Sequence, residues 1–557
     1  MASLALVFLA LLLPTISWLW DYIIVPHIWR PYIAAKRLRE QGIRGPPYKF
    51  LKGCNEDVKK MKDAADDLVL DVHDHNYLPR PFVYWFGAKP RICIFNYEWA
   101  RQILSSKSGH FLKNDTTPTV LALLGKGLVL VEGIDWERHR RVINPAFTMD
   151  KIKMMTKTMV ACAQNMVKEL EDQASSNKNG ETQVELDKQF QELTADIISH
   201  TAFGSSYKLG IEAFHAQKEL QEIAVKSLLN VYLPTKGNWR KLTLEKKLRG
   251  TLMQIIQSRL SSKGSGYGSD LLGLMLEACI ATDQGREQHQ LSLSIDEIIH
   301  ECKTFFFAGH ETTSLLLTWT MSMVFLETLR LYGPALFLQR KPLTDITVGE
   351  TKIPKDHAII IPSAIMHRDK EIWGDDTDEF NPLRFQNGVT RAAKVPHALL
   401  AFSIGPRSCI GQNFAMLEAK SVMAMILKKF SFTLSPNYVH APVDLLTLQP
   451  KFGLPVLTSG VGDREGSTTT GPLHCRPSTA APLAVGDVAH LAQPCQTRLA
   501  GRLPPPSPAG RPASSSPPAP GILLTSTPSR RPDRHARSGA EAAAARNQVA
   551  WVISSAR

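Results

Sequence analysis

Ten residues, Phe402-Ser403-Ile404-Gly405-Pro406-Arg407-Ser408-Cys409-Ile410-Gly411, constrain this chain more than any other part of its 557. A single cysteine stands among Phe, Gly, Arg and Gly, and an apolar stretch of helical character follows from Gln412 to Phe430. Gly405 permits a tight turn, including one at positive φ. Cys409 falls at the start of the following helix, where free N–H groups and the helix dipole favour negative sulfur. Phe402 can cover the sulfur from water. Arg407 is a permanent cation suited to a carboxylate such as a haem propionate. Gly411 leaves room for a helix backbone to approach a flat porphyrin. Such a segment can hold a thiolate against an iron; the competing reading is a buried, inert cysteine before a helix.

Four further segments bear on that choice. Ala308-Gly309-His310-Glu311-Thr312-Thr313 lies in a long apolar stretch from Ile298 to Met323, preceded by the capping box Ser294-x-x-Glu297. This predicts a long buried helix with a small-residue patch followed by an acid and an alcohol. A mid-helix glycine costs roughly 1 kcal/mol relative to alanine, and close approach of a ligand is a reason to keep Gly309. The alternative is a helix that merely packs, with Thr312 bonding back to its own carbonyls. Glu327-Thr328-Leu329-Arg330 places an acid and a base on one helical face. Phe380-Asn381-Pro382-Leu383-Arg384-Phe385 supplies another arginine. In Trp136-Glu137-Arg138-His139-Arg140, Trp136 and Arg140 are four apart and share a face.

Taken together and in this order, these segments resemble the cytochrome P450 family of haem-thiolate monooxygenases. The resemblance implies a mainly α-helical fold with small β-sheets and haem b (iron protoporphyrin IX) with Cys409 as its axial thiolate. Arg407, Trp136, Arg140 and, less closely matched, Arg340 are implied to bind the propionates. Phe402, Gly405 and Gly411 shape the thiolate side, and Ala308 and Gly309 the opposite haem face. Thr312 and Glu311 are implied to relay protons. Glu327, Arg330 and Arg384 are implied to form a buried ion network behind the haem, where each charge needs its partners.

The chain ends read differently from its middle. Ala2 to Trp20 carries no charge and has about the length that spans a bilayer. Trp18, Trp20 and Tyr22 lie where interfacial aromatics belong, and Arg30, Lys36, Arg37, Arg39 and Arg44 place the large domain after them in the cytosol. Residues 1–25 are therefore expected to be a transmembrane anchor rather than a cleaved signal peptide, and 26–47, ending in Gly45-Pro46-Pro47, a basic linker and hinge. The family implies the endoplasmic reticulum membrane. One large domain is expected over 48–458, with hairpins pairing Phe82–Phe86 with Arg91–Phe95, and Ile346–Val348 with Lys352 onward. Ser175–Gly180 and Ser261–Ser269 read as loops. From 459 to 557 lysine vanishes, Pro, Ala, Ser and Arg dominate, and a disordered tail without a catalytic role is expected.

The eight cysteines are scattered without a C-x-x-C pair, as in an ordinary cytosolic chain. The net charge of +13 suits anionic lipid or an acidic reductase and does not call for nucleic acid. Gly264-Ser265-Gly266-Tyr267-Gly268 follows no strand, and no flavin or nicotinamide fingerprint exists. Electrons must then come from a separate protein, which the resemblance identifies as the NADPH–cytochrome P450 reductase. The expected reaction inserts one oxygen atom from O2 into a C–H bond. The motif wording is closest to plant members of the group that oxidises gibberellins, brassinosteroids, cytokinins, fatty acids and triterpenoids, so a small apolar substrate is implied. A relative that rearranges peroxides is disfavoured by the Glu311-Thr312 pair.

One departure matters. Glu327 comes only fifteen positions after Thr312, where relatives place several dozen. Leu315 to Leu326 contains no turn signal and reads as one continuous helix, which would carry Glu327 roughly 22 Å from Thr312 along its axis. Glu327 and Arg330 would then be out of reach of Arg384, and a segment is expected to be missing near Met323–Val324. The alternative function is accordingly a non-catalytic or misfolded membrane-anchored product.

Overall fold

The computed structural model describes residues 12–460 except 58–80, 107–108, 114–115, 176–181, 205–206, 227–235, 262–266, 269, 281–291 and 322–324. The tail beyond 460, most of the two expected loops and the first half of the expected anchor lie outside the described residues. Among the described residues, no helix is long and apolar enough to cross a membrane.

Helices dominate: α1 (Arg30–Glu40), α2 (Tyr97–Leu104), α3 (Pro118–Leu124), α4 (Gly133–Ile143), α5 (Met149–Ser175), α6 (Leu186–Phe203), α7 (Tyr207–Lys226), α8 (Lys236–Ser261), α9 (Leu271–Ile280), α10 (Ile295–Met321), α11 (Phe325–Tyr332) and α12 (Gln412–Lys429). The strands are short: β1 (Phe82–Phe86), β2 (Lys89–Cys93), β3 (Phe111–Leu112), β4 (Thr182–Glu185), β5 (Leu338–Pro342), β6 (Ile346–Val348), β7 (Thr351–Ile353), β8 (Ala358–Ile361), β9 (Phe430–Leu434), β10 (Pro442–Asp444), β11 (Leu448–Pro450) and β12 (Pro455–Gly460). One sheet has the order β1-β2-β8-β5-β3, another β4-β12-β9, and two hairpins complete the set. The expected class, mainly α with small sheets, is the one observed.

The helix starts follow from side-chain capping. Ser294 and Glu297 close the predicted box reciprocally: Ser294 N–H donates to Glu297 Oε2 at 2.8 Å and Glu297 N–H to Ser294 Oγ at 3.3 Å. Asn96 caps α2 and Thr117 caps α3 in the same way. Two apolar cores result. Helices α5, α6, α10 and α12 pack around one of them, and the five-stranded sheet lies over the other. α10 serves both, with Leu316 and Leu317 in the first and Leu315 and Trp319 in the second.

Two expectations need correction. The first hairpin is tighter than predicted: Phe82 faces Cys93 and Phe86 faces Lys89. Gly87 and Ala88 alone form the turn, with Gly87 at φ +57°, so the partner strand starts two residues early. The second correction concerns the continuous helix. Trp319 and Tyr332 would stand about 20 Å apart on one straight helix, yet their rings stack at 4.8 Å. α11 therefore folds back beside α10. The gain is burial: Trp319, Leu329 and Leu331 are all enclosed, and a helix continued outward would leave that surface in water.

Candidate active site

Cys409 sits where the sequence placed it. The loop before α12 turns twice into the left-handed region, at Ser403 (φ +58°) and Gly405 (φ +78°). A Cβ at Gly405 would lie 2.3 Å from the carbonyl oxygen of Leu104, so both the conformation and the space exclude a side chain there. The turn is closed by Cys409 N–H donating to the Phe402 carbonyl at 2.9 Å and Ser408 N–H to that of Gly405 at 3.0 Å. Gly411 is the N-cap of α12, and a Cβ there would make ordinary contacts at 3.9 Å to Cys409 Sγ and 4.0 Å to the Phe147 ring. Burial raises the Cys409 thiol, while N–H groups of Gly411 and Gln412 and the charges of Arg140 and Lys113 pull it down.

Cys409 retains accessible surface although protein surrounds it closely. Lys113 combines the same two properties. A cleft bordered by both residues would account for the two properties in each.

Cations gather on one side of that cleft. Burial, with Arg340 and Arg407 close by, brings the Lys113 pKa down to about 7. Burial, then Arg407, brings Arg340 to about 10. The Arg407 guanidinium lies over the Trp136 ring at 4.2 Å, donates to the Val131 carbonyl at 2.8 Å and pairs with Glu132. Arg140 Nη1 donates to the Ser408 carbonyl at 3.3 Å, which ties α4 to the Cys409 loop. Groups that depress one another's protonation suit a dianion placed among them. With a thiol held by backbone N–H groups, this donor set fits a haem and its two propionates.

On α10, every residue from Glu301 to Met321 is buried except Ala308, Gly309 and Thr312. Positions 308 and 312 lie one turn apart and form a half-open face on an otherwise enclosed helix. Thr312 Oγ1 donates to the Ala308 carbonyl at 2.7 Å. The reason expected for Gly309 changes: a Cβ there would meet Ile198 Cδ1 at 2.6 Å, so its lack of a side chain serves the packing of α6 on α10 rather than a ligand. Glu311 is buried, and its Oε1 accepts from Gln221 (2.8 Å), Thr447 (2.8 Å) and Gln449 (2.6 Å). It ties α10 to α7 and to the β10–β11 hairpin. His310 packs among Phe214, Phe306 and Phe307, and burial lowers its pKa.

The ion network closes despite the short connection. Arg330 pairs bidentately with Glu327, at 2.8 Å through Nε and 2.7 Å through Nη2. Arg384 Nε reaches Glu327 Oε1 at 3.3 Å, and its Nη1 donates to Asp376 at 3.0 Å. Asn381 N–H also donates to Glu327 at 3.1 Å. The expectation that Arg384 is out of reach is overturned because α11 turns back towards it.

Sequence reasoning missed Lys113, Glu132 and His367. His367 joins the network to the Cys409 side: its carbonyl accepts from Arg330 at 2.7 Å, and its Nε2 accepts from Leu400 N–H at 2.9 Å. Burial, then the Arg330 charge, lowers its pKa to about 3. The folded protein thus keeps His367 neutral at pH values where the unfolded chain, near 6.5, takes up a proton. Its contribution is complete above pH ~6.5 and is lost as pH falls towards 3, at about 1.4 kcal/mol per pH unit. Urea unfolding between pH 4 and 6 is expected to show a slope shallower by about that amount in His367→Gln than in the wild-type protein; equal slopes would refute the assignment.

Comparison with known proteins bears on most of the chain. A family model described as Cytochrome P450 matches residues 75–326 and 320–455, two blocks that meet at 320–326. "Cytochrome P450 709B1" of Arabidopsis thaliana is 43% identical over 498 residues, covering 78% of this chain and 95% of the relative. "Cytochrome P450 709B3" of the same plant is 43% identical over 523 residues, covering 83% and 99%. "Secologanin synthase 1" of Catharanthus roseus is 36% identical over 498 residues, covering 79% and 95%.

Proposed function

The chain belongs to the cytochrome P450 family and is a haem-dependent monooxygenase, and from that membership we propose what its residues do and on what. It inserts one oxygen atom into a C–H bond of a small apolar molecule, with electrons from the NADPH-dependent reductase. The observation that carries the site is Cys409 at the start of α12, with two backbone N–H groups on its sulfur and Lys113 and Arg140 in electrostatic reach.

When bound, the haem supplies oxygen activation on a thiolate-ligated iron. Cys409 would hold the iron through its thiolate, and the Gly411 and Gln412 N–H groups stabilise the negative sulfur. Arg407, Arg340, Arg140 and Trp136 hold the propionates, with Lys113 joining them. Glu132 holds Arg407 in place. Phe402, half-buried, shields the sulfur, and Gly405 makes the turn that presents it. Ala308 and Thr312 border the opposite side of the cleft, where Gly309 allows α6 close. Thr312 holds a proton at Oγ1. Glu311, held by three donors on Oε1, is the acid beside it. Glu327, Arg330 and Arg384 brace the structure behind the haem.

The uncharged stretch Ala2–Trp20 anchors the enzyme in the endoplasmic reticulum membrane, with the domain over 48–458 on the cytosolic side and 459–557 as an appended tail. The exposed rings of Trp18, Trp20, Tyr22 and Trp29 suit a lipid boundary. A shortened connection between α10 and α11 is supported by the meeting of the two matched blocks at 320–326. It is supported further by an alignment of 498 positions that covers only 78% of 557 residues. The closed network behind the haem favours an active enzyme over the non-catalytic reading.

The test is the reduced, carbon-monoxide difference spectrum of the full chain in membranes, followed by reductase-dependent turnover of plant hormones, fatty acids and triterpenoids. A red-shifted thiolate Soret band is expected. Haem-free protein, or only the shorter-wavelength band of lost thiolate ligation, would favour the non-catalytic product.

A further inference from the structure

A second group of ligating side chains lies on α5 and α6 and includes none of the residues assigned above. Cys162 of α5 and Asp196 and His200 of α6 each bring one ligand atom to within 4.8 Å of the other two. Asp196 and His200 are one turn apart and share a face of α6, with His200 Nε2 3.5 Å from Asp196 Oδ1. Cys162 faces them from the neighbouring helix and is buried, while the two α6 side chains are about one-quarter and two-fifths exposed.

An independent observation points at the same place from a third helix. Glu418 of α12 is 1% exposed, and neither of its carboxyl oxygens has a hydrogen-bond partner. α12 packs along α5, and Glu418 lies within electrostatic reach of the Cys162 thiol. Burial raises the Glu418 carboxyl well above the usual carboxylate range, so it stays protonated unless a cation is placed near it. Burial first, then Asp196 through its charge and a hydrogen bond, and Glu418 after it, raise the Cys162 thiol. A cation is the missing element of such a set.

We propose that Cys162, Asp196 and His200 bind one zinc ion, with a water in the remaining position and Glu418 as the buried acid behind the thiolate. One sulfur, one nitrogen and one oxygen donor are the ligand types zinc takes in tetrahedral sites. Donors at tetrahedral zinc stand about 3.5 Å apart, so the side chains close inward by about an ångström or less. The thiol proton leaves to solvent as the Zn–S bond forms. The half-exposed His200 side gives the ion its entry path and leaves the water outward. The consequence is a clamp between α5 and α6, two of the four helices around the larger core.

The test uses the full-length, haem-loaded protein in detergent, stripped with a chelator, dialysed against zinc chloride and desalted. Zinc per chain is measured by elemental mass spectrometry, and haem content is recorded on the same samples. That second reading separates failure of this site from failure of the haem assignment. The wild-type chain is expected to retain one more zinc than Cys162→Ala or His200→Ala, and its melting temperature to rise with zinc while theirs do not. Glu418→Gln is expected to weaken zinc roughly tenfold. Should Cys162→Ala fail to fold, the partly exposed His200→Ala and Asp196→Asn carry the comparison. Equal zinc in wild type and variants would mean an adventitious ion only, and that result, like a wild-type chain that retains no zinc, would overturn the proposal.

Discussion

Cys409→Ser is expected to eliminate the thiolate Soret band and to reduce reductase-supported turnover to background. The substitution keeps the turn, the helix start and the N–H groups of Gly411 and Gln412, because a serine hydroxyl fits the same space. What it removes is a group that can ionise: a hydroxyl stays protonated where a thiol, aided by two N–H donors and by Arg140 and Lys113, would lose its proton to solvent as the sulfur binds iron. The thiolate's electron donation favours O–O cleavage, so its loss removes the chemistry rather than the binding. The cations that fit the propionates are untouched, and the variant is expected to bind haem with the shorter-wavelength carbon-monoxide band. Of the six described cysteines, four are buried, Cys279 is intermediate and Cys409 is exposed. A variant that kept the thiolate band would show that another cysteine holds the iron.

The legible part of this site was local. The Ser294–Glu297 box, the Trp136–Arg140 face and the Cys409 turn each span a few residues, and each could be read from spacing alone. Glu132 was not legible, because it meets Arg407 across 275 residues, nor was His367, which meets Leu400 across 33. Nothing near Ile198 announces that it will need the space Gly309 leaves. The reversal after Met321 was hidden for a different reason. Leu315–Phe325 has neither glycine nor proline, so local propensity favours continuing the helix. Burial decides otherwise, since Trp319 can stack on Tyr332 and shield Leu329 and Leu331 only if the chain turns. Tertiary packing overrides propensity there, and a short connection still delivers Glu327 to Arg384.

That delivery can be measured. Glu327→Gln is expected to destabilise the domain by roughly 3–5 kcal/mol, out of a total of about 5–15. Arg330 is fully enclosed and Glu327 is 1% exposed, so no solvent can take over the lost charge. The amide can still accept one hydrogen bond, but two guanidinium groups then share a region with no buried carboxylate. Asp376 is the control. It also pairs with Arg384, at 2.9 Å, but its side chain is 38% exposed. Its replacement by Asn is expected to cost under about 1 kcal/mol, because water screens the pair. Thermal unfolding of both variants followed by haem absorbance gives the comparison, with a fall of roughly 5–10 °C expected for Glu327→Gln and little change for Asp376→Asn. If the two variants melted together near the wild-type temperature, the network would not be assembled in solution. The short connection between α10 and α11 would then leave Glu327 apart from Arg384.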